Sequence, residues 1–468
     1  MPWKILFLVF FFFISLIFVP LFFLLYYQYL SFAAPTKANI LVDIKKTIGP
    51  VPDRWKALAQ GGEEKGVRML ANVIPQIAAL LPKYIRIDHI YDFYNVVNRD
   101  TTGNLTFDWQ QLDETVCDIY RTGAKPFFVL GYMPPVLSKD GTLVSLPTNW
   151  NEWSLTVQKT IERYSGQGTR LCGQIAGAWL NDIYYEVWNE PDLESFGKWS
   201  LYPGDKSYQT LYFYTSLGAL QAKNVNRFSL GGPASSSLYK NWVTVFLDFV
   251  TKTNVKFDFF SWHHYSQNIS GFSQQIADLN TWLSEQRYAQ FRLLPRIISE
   301  WGYDSNPNPI ADTNIGAAHT LASIRNFFEQ NIDAAFLFEI KDGPAPRWGI
   351  LSYQGEEKPR YKALRMLNQL EGQEVFIEGE GTYVTALSSI SQEKVTLVLV
   401  NYDPKNLNNE LVPVRIINLS PGTYTMTTAY LDGKTSVVSK VPIPGTELQK
   451  SLIMPPNIAV AIELKKEQ

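Results

Sequence analysis

Two short segments carry a carboxylate at the point where an apolar run stops. Ile183–Asp192 reads I-Y-Y-E-V-W-N-E-P-D, a β-prone stretch that ends in Asn189-Glu190, and Pro191 forbids its continuation. Leu294–Gly302, L-P-R-I-I-S-E-W-G, has the same design and runs into Glu300. Carboxylates at the ends of two inner strands are the equipment for breaking a glycosidic bond. One carboxyl protonates the leaving oxygen while the other attacks the anomeric carbon or activates water. A single glutamate in such a place reads as a structural salt bridge; two of them in matching contexts favour chemistry. The acid needs apolar surroundings, such as Trp188, to hold its proton near neutral pH, and its partner needs a cation and hydrogen bonds to stay ionised. Glu186 lies two residues before Trp188, so strand alternation puts it on the face of Trp188 and Glu190, in a supporting role.

Other chemistries find little to work with. The only cysteines are Cys117 and Cys172, and there is no C-x-x-C or Cys/His ligand spacing, which removes zinc and iron–sulfur readings. One disulfide between them is possible; the apolar neighbours of Cys117 favour an inert buried thiol. The four histidines, His89, His263, His264 and His319, accompany no nucleophile elbow, and His89 and His264 read as loop or wall residues. No metal or cofactor is expected. A net charge of −2 and a pI near 6.2 argue against a nucleic-acid partner.

The elements that must position the carboxylates alternate from Ala38 to about Leu370. Strands are expected at Ile40–Ile44, Tyr84–Asp88, Pro126–Gly131, Ile183–Trp188, Ser229–Gly232, Phe257–Trp262, Arg296–Ser299 and Ala334–Phe338. Helical patterns lie between most of them, among them Trp109–Arg121, Trp150–Tyr164, Tyr208–Lys223 and Thr313–Gln330, with a closing helix at Tyr361–Leu370. Eight alternations predict a (β/α)8 TIM barrel over 38–370, with Glu190 and Glu300 at its C-terminal face. Beyond it, 371–468 holds alternating runs separated by Gly, Pro and Asn, predicting a β-sandwich that buttresses the barrel.

Residues 1–37 form a third region. Ile5–Leu25 has no charge and is long enough to cross a ~30 Å bilayer core. Trp3 and the tyrosines Tyr26, Tyr27 and Tyr29 suit the two interfaces. Ala33-Ala34 offers a small-residue cleavage site, but the apolar run exceeds the ~7–15 residues of a signal peptide. A single uncleaved transmembrane helix is the preferred reading. Lys4 on one side and Lys37, Lys45 and Lys46 on the other leave its orientation undecided by charge. An extracytoplasmic catalytic part is expected, because glycan substrates lie there.

The ordered motifs resemble those of glycoside hydrolase family 39, which contains β-xylosidases and α-L-iduronidases, within clan A of (β/α)8 retaining glycosidases. The resemblance rests on Tyr84–Arg86, Phe107–Asp113, Pro126–Pro134, Tyr185–Asp192, Gly231–Ala234, Ser261–Tyr265, the E-W-G-Y segment from Glu300, and Trp348–Leu351 followed by Lys358-Pro359. It implies that Glu190 is the acid/base, Glu300 the nucleophile and Asn189 the amide bonded to a sugar 2-hydroxyl. His263 and Tyr265 would stand beside the nucleophile, and Arg86 would keep it ionised. The chain departs from the family pattern in three places. Asp88 stands where a His is usual, and Val129 where an acid is frequent. The last strand reads L-F-E-I-K-D, so Phe338 takes the place of a floor Trp, and Glu339 and Lys341 bring charge nearby.

The resemblance implies a retaining, β-xylosidase-like glycosidase acting on oligo- or polysaccharide. The alternatives are a uronidase or other glycosidase, a catalytically silent glycan-binding envelope protein, and a transglycosylase that uses the same intermediate.

Overall fold

The computed structural model describes residues 35–61, 64–392, 394–432 and 436–467. The expected membrane helix at Ile5–Leu25 lies outside the described residues. Within them, no helix is long and apolar enough to cross a membrane.

Eight strands close a parallel barrel in chain order. They are β1 (Ala57–Gln60), β2 (Tyr84–Ile87), β3 (Lys125–Leu130), β4 (Ile183–Val187), β5 (Phe228–Ser235), β6 (Phe259–Tyr265), β7 (Arg296–Gly302) and β8 (Ala334–Phe338), and β8 pairs back onto β1. Inward side chains fill the barrel: Phe127, Phe259, Ile297 and Phe336 pack with Ala57 and Ala59 into a solid plug. The plug makes the barrel a packed core with chemistry possible only at its mouth. Gly231 is part of this fit, since a Cβ there would meet the Phe259 carbonyl and ring at 2.4–2.5 Å.

Helices wrap the outside. Trp150–Tyr164 begins where the Asn149 side chain accepts from the Asn151 N–H, and Asn314–Glu329 where Thr313 does the same for Ile315. Helix Tyr208–Gln221 packs on Trp150–Tyr164 so closely that Gly218 has no room for a Cβ beside the Ser154 carbonyl.

The first expected barrel strand is in the wrong unit. Ile40–Pro50 does not join the barrel; it pairs antiparallel with Gln373–Glu378 and parallel with Glu410–Ile417 in the C-terminal sheet. The true first strand, A-L-A-Q, is only four residues, all buried, and has no β-branched residue to announce it. A boundary at residue 38 therefore falls inside the sandwich.

That second unit is a nine-stranded sheet folded over on itself. Ile40, Val42, Val414 and Ile416 of one half meet Leu397, Leu399, Ile462 and Leu464 of the other in a separate core. Its outer face carries Leu387, Val398, Val400 and Ala461 into the core of the barrel unit, against helix Asn314–Glu329. Arg325 of that helix makes two bonds to Glu380, at 2.9 and 2.8 Å. The Tyr402 hydroxyl donates to the Gln267 carbonyl at 2.7 Å, and a His319 ring nitrogen sits 2.8 Å from the Ser266 carbonyl. Ser266 follows directly on β6, so the sandwich steadies the loop leaving the mouth.

Cys117 and Cys172 are not free thiols. They form a disulfide with Cα atoms 5.4 Å apart, tying helix Gln110–Arg121 to the hairpin Arg170–Leu171/Gln174–Ile175. Spacing could not reveal this, because the hairpin that carries Cys172 is placed by tertiary packing.

Candidate active site

The mouth of the barrel receives its side chains through two breaks in strand alternation. On β4, Tyr184 packs against the plug and Tyr185 in the outer core, and Glu186 follows at an inward position. Alternation would next turn Trp188 inward, as the sequence predicts. Trp188 instead has φ +69°, and its ring goes outward against Tyr132, Trp153 and Trp199. Asn189 and Glu190 are thereby delivered together to the mouth. Glu190 has φ +42°, in the left-handed region that non-glycine residues adopt uncommonly. It is fixed by its N–H donating to the Ala234 carbonyl at 2.8 Å. Asp192 accepts from both the N–H and the hydroxyl of Ser236, locking the β4 loop to the β5 loop.

On β7 the device is a bulge. Trp262 of β6 pairs with Ile298 but His263 pairs with Glu300, so Ser299 is an extra residue. Ile297 faces the plug, Ile298 and Trp301 face the outer core, and the slip turns Glu300 to the centre.

Beneath the mouth lies Arg86 of β2, which is 1% exposed. Its Nε donates to Glu186 at 2.8 Å, one Nη to Glu300 at 2.7 Å and the other to Asn189 Oδ1 at 2.7 Å. Guanidinium can only donate, so it fixes the Asn189 amide with its NH2 toward the cavity. Tyr265 donates its hydroxyl to the second Glu300 oxygen at 2.7 Å. His263 Nδ1 lies 2.9 Å from Glu190 and 3.5 Å from Glu300, a ring shared between the two carboxylates.

The electrostatics follow from these contacts. Burial pushes the Glu300 carboxyl up, but the charges of His263 and Arg86 and the Tyr265 hydrogen bond outweigh it and hold Glu300 below its ordinary range. Burial pushes His263 down; Glu300 and the bond to Glu190 overcome that and raise it. The His264 imidazole, buried without such partners, falls to about 4 and stays neutral.

All seven residues singled out from the sequence converge here. Asn189, Glu190, Tyr265, Glu300 and Phe338 line a cavity of about 720 Å³. Arg86 and His263 do not line it; they sit under it and touch the carboxylates. A wider cleft of about 830 Å³ lies between helix Gln110–Arg121 and the disulfide hairpin; its carboxylates, Asp113 and Glu114, are each paired with an arginine, Arg163 and Arg68. Glu190, His263 and Glu300 offer oxygens and a ring nitrogen all within 4.8 Å of one another, a donor set that could physically accept a divalent ion. The permanent charge of Arg86, bonded to one of these donors, opposes a second cation there.

The altered last strand resolves differently from its sequence. Glu339 and Lys341 bring no charge into the cavity. Both are buried behind it, with Lys341 Nζ donating to Asn72 at 2.8 Å and Glu339 beside the charge of Arg360. Phe338 has Trp348 for a neighbour, with ring centroids 5.6 Å apart, and both rings line the cavity. Arg360 donates to the carbonyls of both residues and so holds the floor together. Tyr132, Ser236, Tyr239 and Arg347 also line the cavity and escaped the sequence reading. Tyr132 lies within the quoted segment Pro126–Pro134, just past β3, and could have been found there; the other three sit on loops whose placement no local pattern encodes.

The chain has close counterparts in sequence and in fold. The sequence profile of the Glycosyl hydrolases family 39 matches residues 39–423. A beta-xylosidase of Caldicellulosiruptor saccharolyticus is 24% identical over 360 residues, 69% of each chain. One from Geobacillus stearothermophilus is 26% identical over 325 residues, 61% of each chain. A monomeric beta-xylosidase from Caulobacter crescentus CB15 superimposes with a TM-score of 0.74 at 20% identity, covering 92% of this chain and all of that one. The GH39 enzyme of Xanthomonas axonopodis pv. citri gives 0.75 at 18% identity, covering 92% and 98%. With a profile that spans most of the chain and a carboxylate pair at the barrel mouth, the protein belongs to glycosyl hydrolase family 39 and is a glycosidase.

Proposed function

We propose that the protein is a retaining glycosidase that releases a β-linked, xylose-like sugar from an oligo- or polysaccharide, with Glu300 as nucleophile and Glu190 as acid/base. The observation that carries this is the proximity of the two carboxylates, whose oxygens come within 4.8 Å across an open cavity. A covalent route wants the carboxyl groups ~5–5.5 Å apart, whereas an inverting route needs ~6.5–9.5 Å to seat a water between them.

In the first step the Glu300 carboxylate bonds to the anomeric carbon as the carbon–oxygen bond to the aglycone breaks, and Glu190 gives its proton to the departing oxygen. In the second, Glu190 takes a proton from water as that water attacks the anomeric carbon and Glu300 leaves. Arg86 and Tyr265, both bonded to Glu300, keep it ionised and aimed. His263 bonds Glu190 and restrains it between its two roles. Asn189, oriented by Arg86, donates to the sugar hydroxyl next to the reacting carbon. The beta-xylosidases among the relatives support the choice of sugar.

A second reading, a uronic acid in place of xylose, is favoured by Arg347. Its guanidinium lines the cavity and has no carboxylate partner among the described residues. The uncharged run Ile5–Leu25 supports membrane anchoring. The Cys117–Cys172 disulfide supports an oxidising, extracytoplasmic setting for the barrel.

The test is an aryl glycoside panel followed by proton NMR of the first product formed. Release of the β-anomer from an aryl β-xyloside, ahead of mutarotation, is expected. First appearance of the α-anomer would overturn retention. Glycan binding without cleavage of any glycoside would overturn the enzyme reading.

A further inference from the structure

One end of the sandwich carries an apolar pole that the hydrolase chemistry does not use. On the edge pair of strands, Leu411 and Ile453 are register partners, 62% and 68% exposed, and Leu407 in the preceding loop is 78% exposed. The next outward pairs along the same strands are Pro413 with Ser451 and Arg415 with Gln449. The apolar character is therefore confined to one end of this face.

That end is also where the N-terminal chain joins the fold. The Ala38 N–H donates to Glu410, the neighbour of Leu411, and the Thr36 N–H donates to Thr382 at 2.9 Å. Lys37, 67% exposed, approaches the other Glu410 oxygen at 4.0 Å, and Lys405 stands exposed in the loop that holds Leu407. Only Tyr26–Ala34 separate the uncharged run Ile5–Leu25 from Pro35. Nine residues reach at most roughly 30 Å when fully extended. A bilayer holding that run must pass within this distance of Pro35, which leads directly into the Thr36 and Ala38 contacts beside the pole.

We propose that this pole of the sandwich, Leu407, Leu411 and Ile453 flanked by Lys37 and Lys405, rests on the lipid surface into which Ile5–Leu25 inserts. The inference relies on the membrane-anchor reading and is independent of the sugar or the mechanism. Three branched apolar tips suit the acyl boundary, and the two lysines suit anionic headgroups around it. Such contact restricts the swing of the barrel about its tether and presents the mouth to one zone above the membrane.

The experiment uses the full chain in liposomes of phosphatidylcholine and phosphatidylglycerol. The two native cysteines are paired with each other, so a cysteine introduced by Leu411→Cys, Ile453→Cys or, as control, Leu220→Cys is the one free thiol for an environment-sensitive dye. All three sites are exposed, and circular dichroism certifies each fold. Flotation reports the anchor, and quenching by lipids spin-labelled near the headgroup reports the contact. Quenching at 411 and 453 but not at 220 is expected. Flotation with dyes at 411 and 453 left bright would overturn the contact while keeping the anchor, including the case where a second copy or the N-terminal segment itself covers the pole. Failure to float would remove the anchor and the proposal with it.

Discussion

Arg86 is the residue whose removal has the most calculable consequence. Arg86→Met fills similar space but leaves Glu186 and Glu300 as two carboxylates in a buried site with no guanidinium between them. Stripping the partner from a buried ion pair costs about 3–5 kcal/mol. The same scale comes from Coulomb's law: unit charges ~4 Å apart at an effective dielectric of ~20 attract by about 4 kcal/mol. The penalty belongs to the ionised carboxylates, so the variant is expected to be most destabilised at neutral pH and to recover as acid protonates them. The acid limb of kcat/KM moves toward neutrality as well, because Glu300 loses a cation that holds it below its ordinary range. Arg86→Lys keeps the charge and restores much of that limb, but cannot bond Glu186, Asn189 and Glu300 at once, so its kcat/KM stays depressed. Urea unfolding at several pH values and pH–rate profiles for the three proteins provide the readout. If Arg86→Met were as stable as the parent at neutral pH, or kept its acid limb in place, the reasoning about this buried cation would be refuted.

Three further outcomes are expected. Glu190→Gln lowers kcat/KM of glycosides with poor leaving groups by roughly 10²–10⁴-fold and barely changes kcat/KM of activated ones, whose kcat falls because the second step has lost its base, read from a Brønsted series of aryl glycosides. Stability should decline at both ends of the pH range. Glu300, depressed in the fold, contributes above the ordinary carboxylate pKa, and that contribution is lost as pH falls through its lowered value. His263, raised in the fold, contributes fully below the ordinary imidazole pKa, and its share is lost as pH rises through the raised value. His263→Gln removes the alkaline part, which pH-dependent urea unfolding would detect; an unchanged alkaline decline would contradict the assignment. Reduction of Cys117–Cys172, which spans 55 residues of chain, lowers unfolding free energy by about 4 kcal/mol on the loop-entropy scale, checked by denaturation with and without reductant.

The carboxylates were legible because proline and an abrupt end of apolar sequence mark a strand terminus, and a strand terminus in a barrel is where chemistry sits. The barrel itself was legible in seven of its strands, since β-branched and aromatic runs separated by amphipathic helices leave few alternatives. The missing strand, Ala57–Gln60, has the composition of a helix, while Ile40–Pro50 looks like any barrel strand until its partners are known. Alternation correctly oriented Glu186 but failed at Trp188, whose positive φ reverses the phase, and nothing local in I-I-S-E-W announces the bulge at Ser299. Glu339 and Lys341 do bring charge nearby, but whether a residue past a strand end faces the cavity or its back wall depends on the turn, which no local pattern shows. Trp348, ten residues beyond Phe338, supplies aromatic floor that the last strand lacks.

On the proposed mechanism Glu300 bonds covalently to the sugar while Glu190 manages the proton. An activated 2-deoxy-2-fluoro-β-xyloside slows both steps but leaves the first faster than the second, so the intermediate accumulates and can be digested and sequenced by mass spectrometry. One fluorosugar per chain is expected, on the peptide carrying Glu300, and none on Glu300→Gln. A label on Glu190 or any other residue, or turnover of the natural glycoside with inversion and no label, would contradict it.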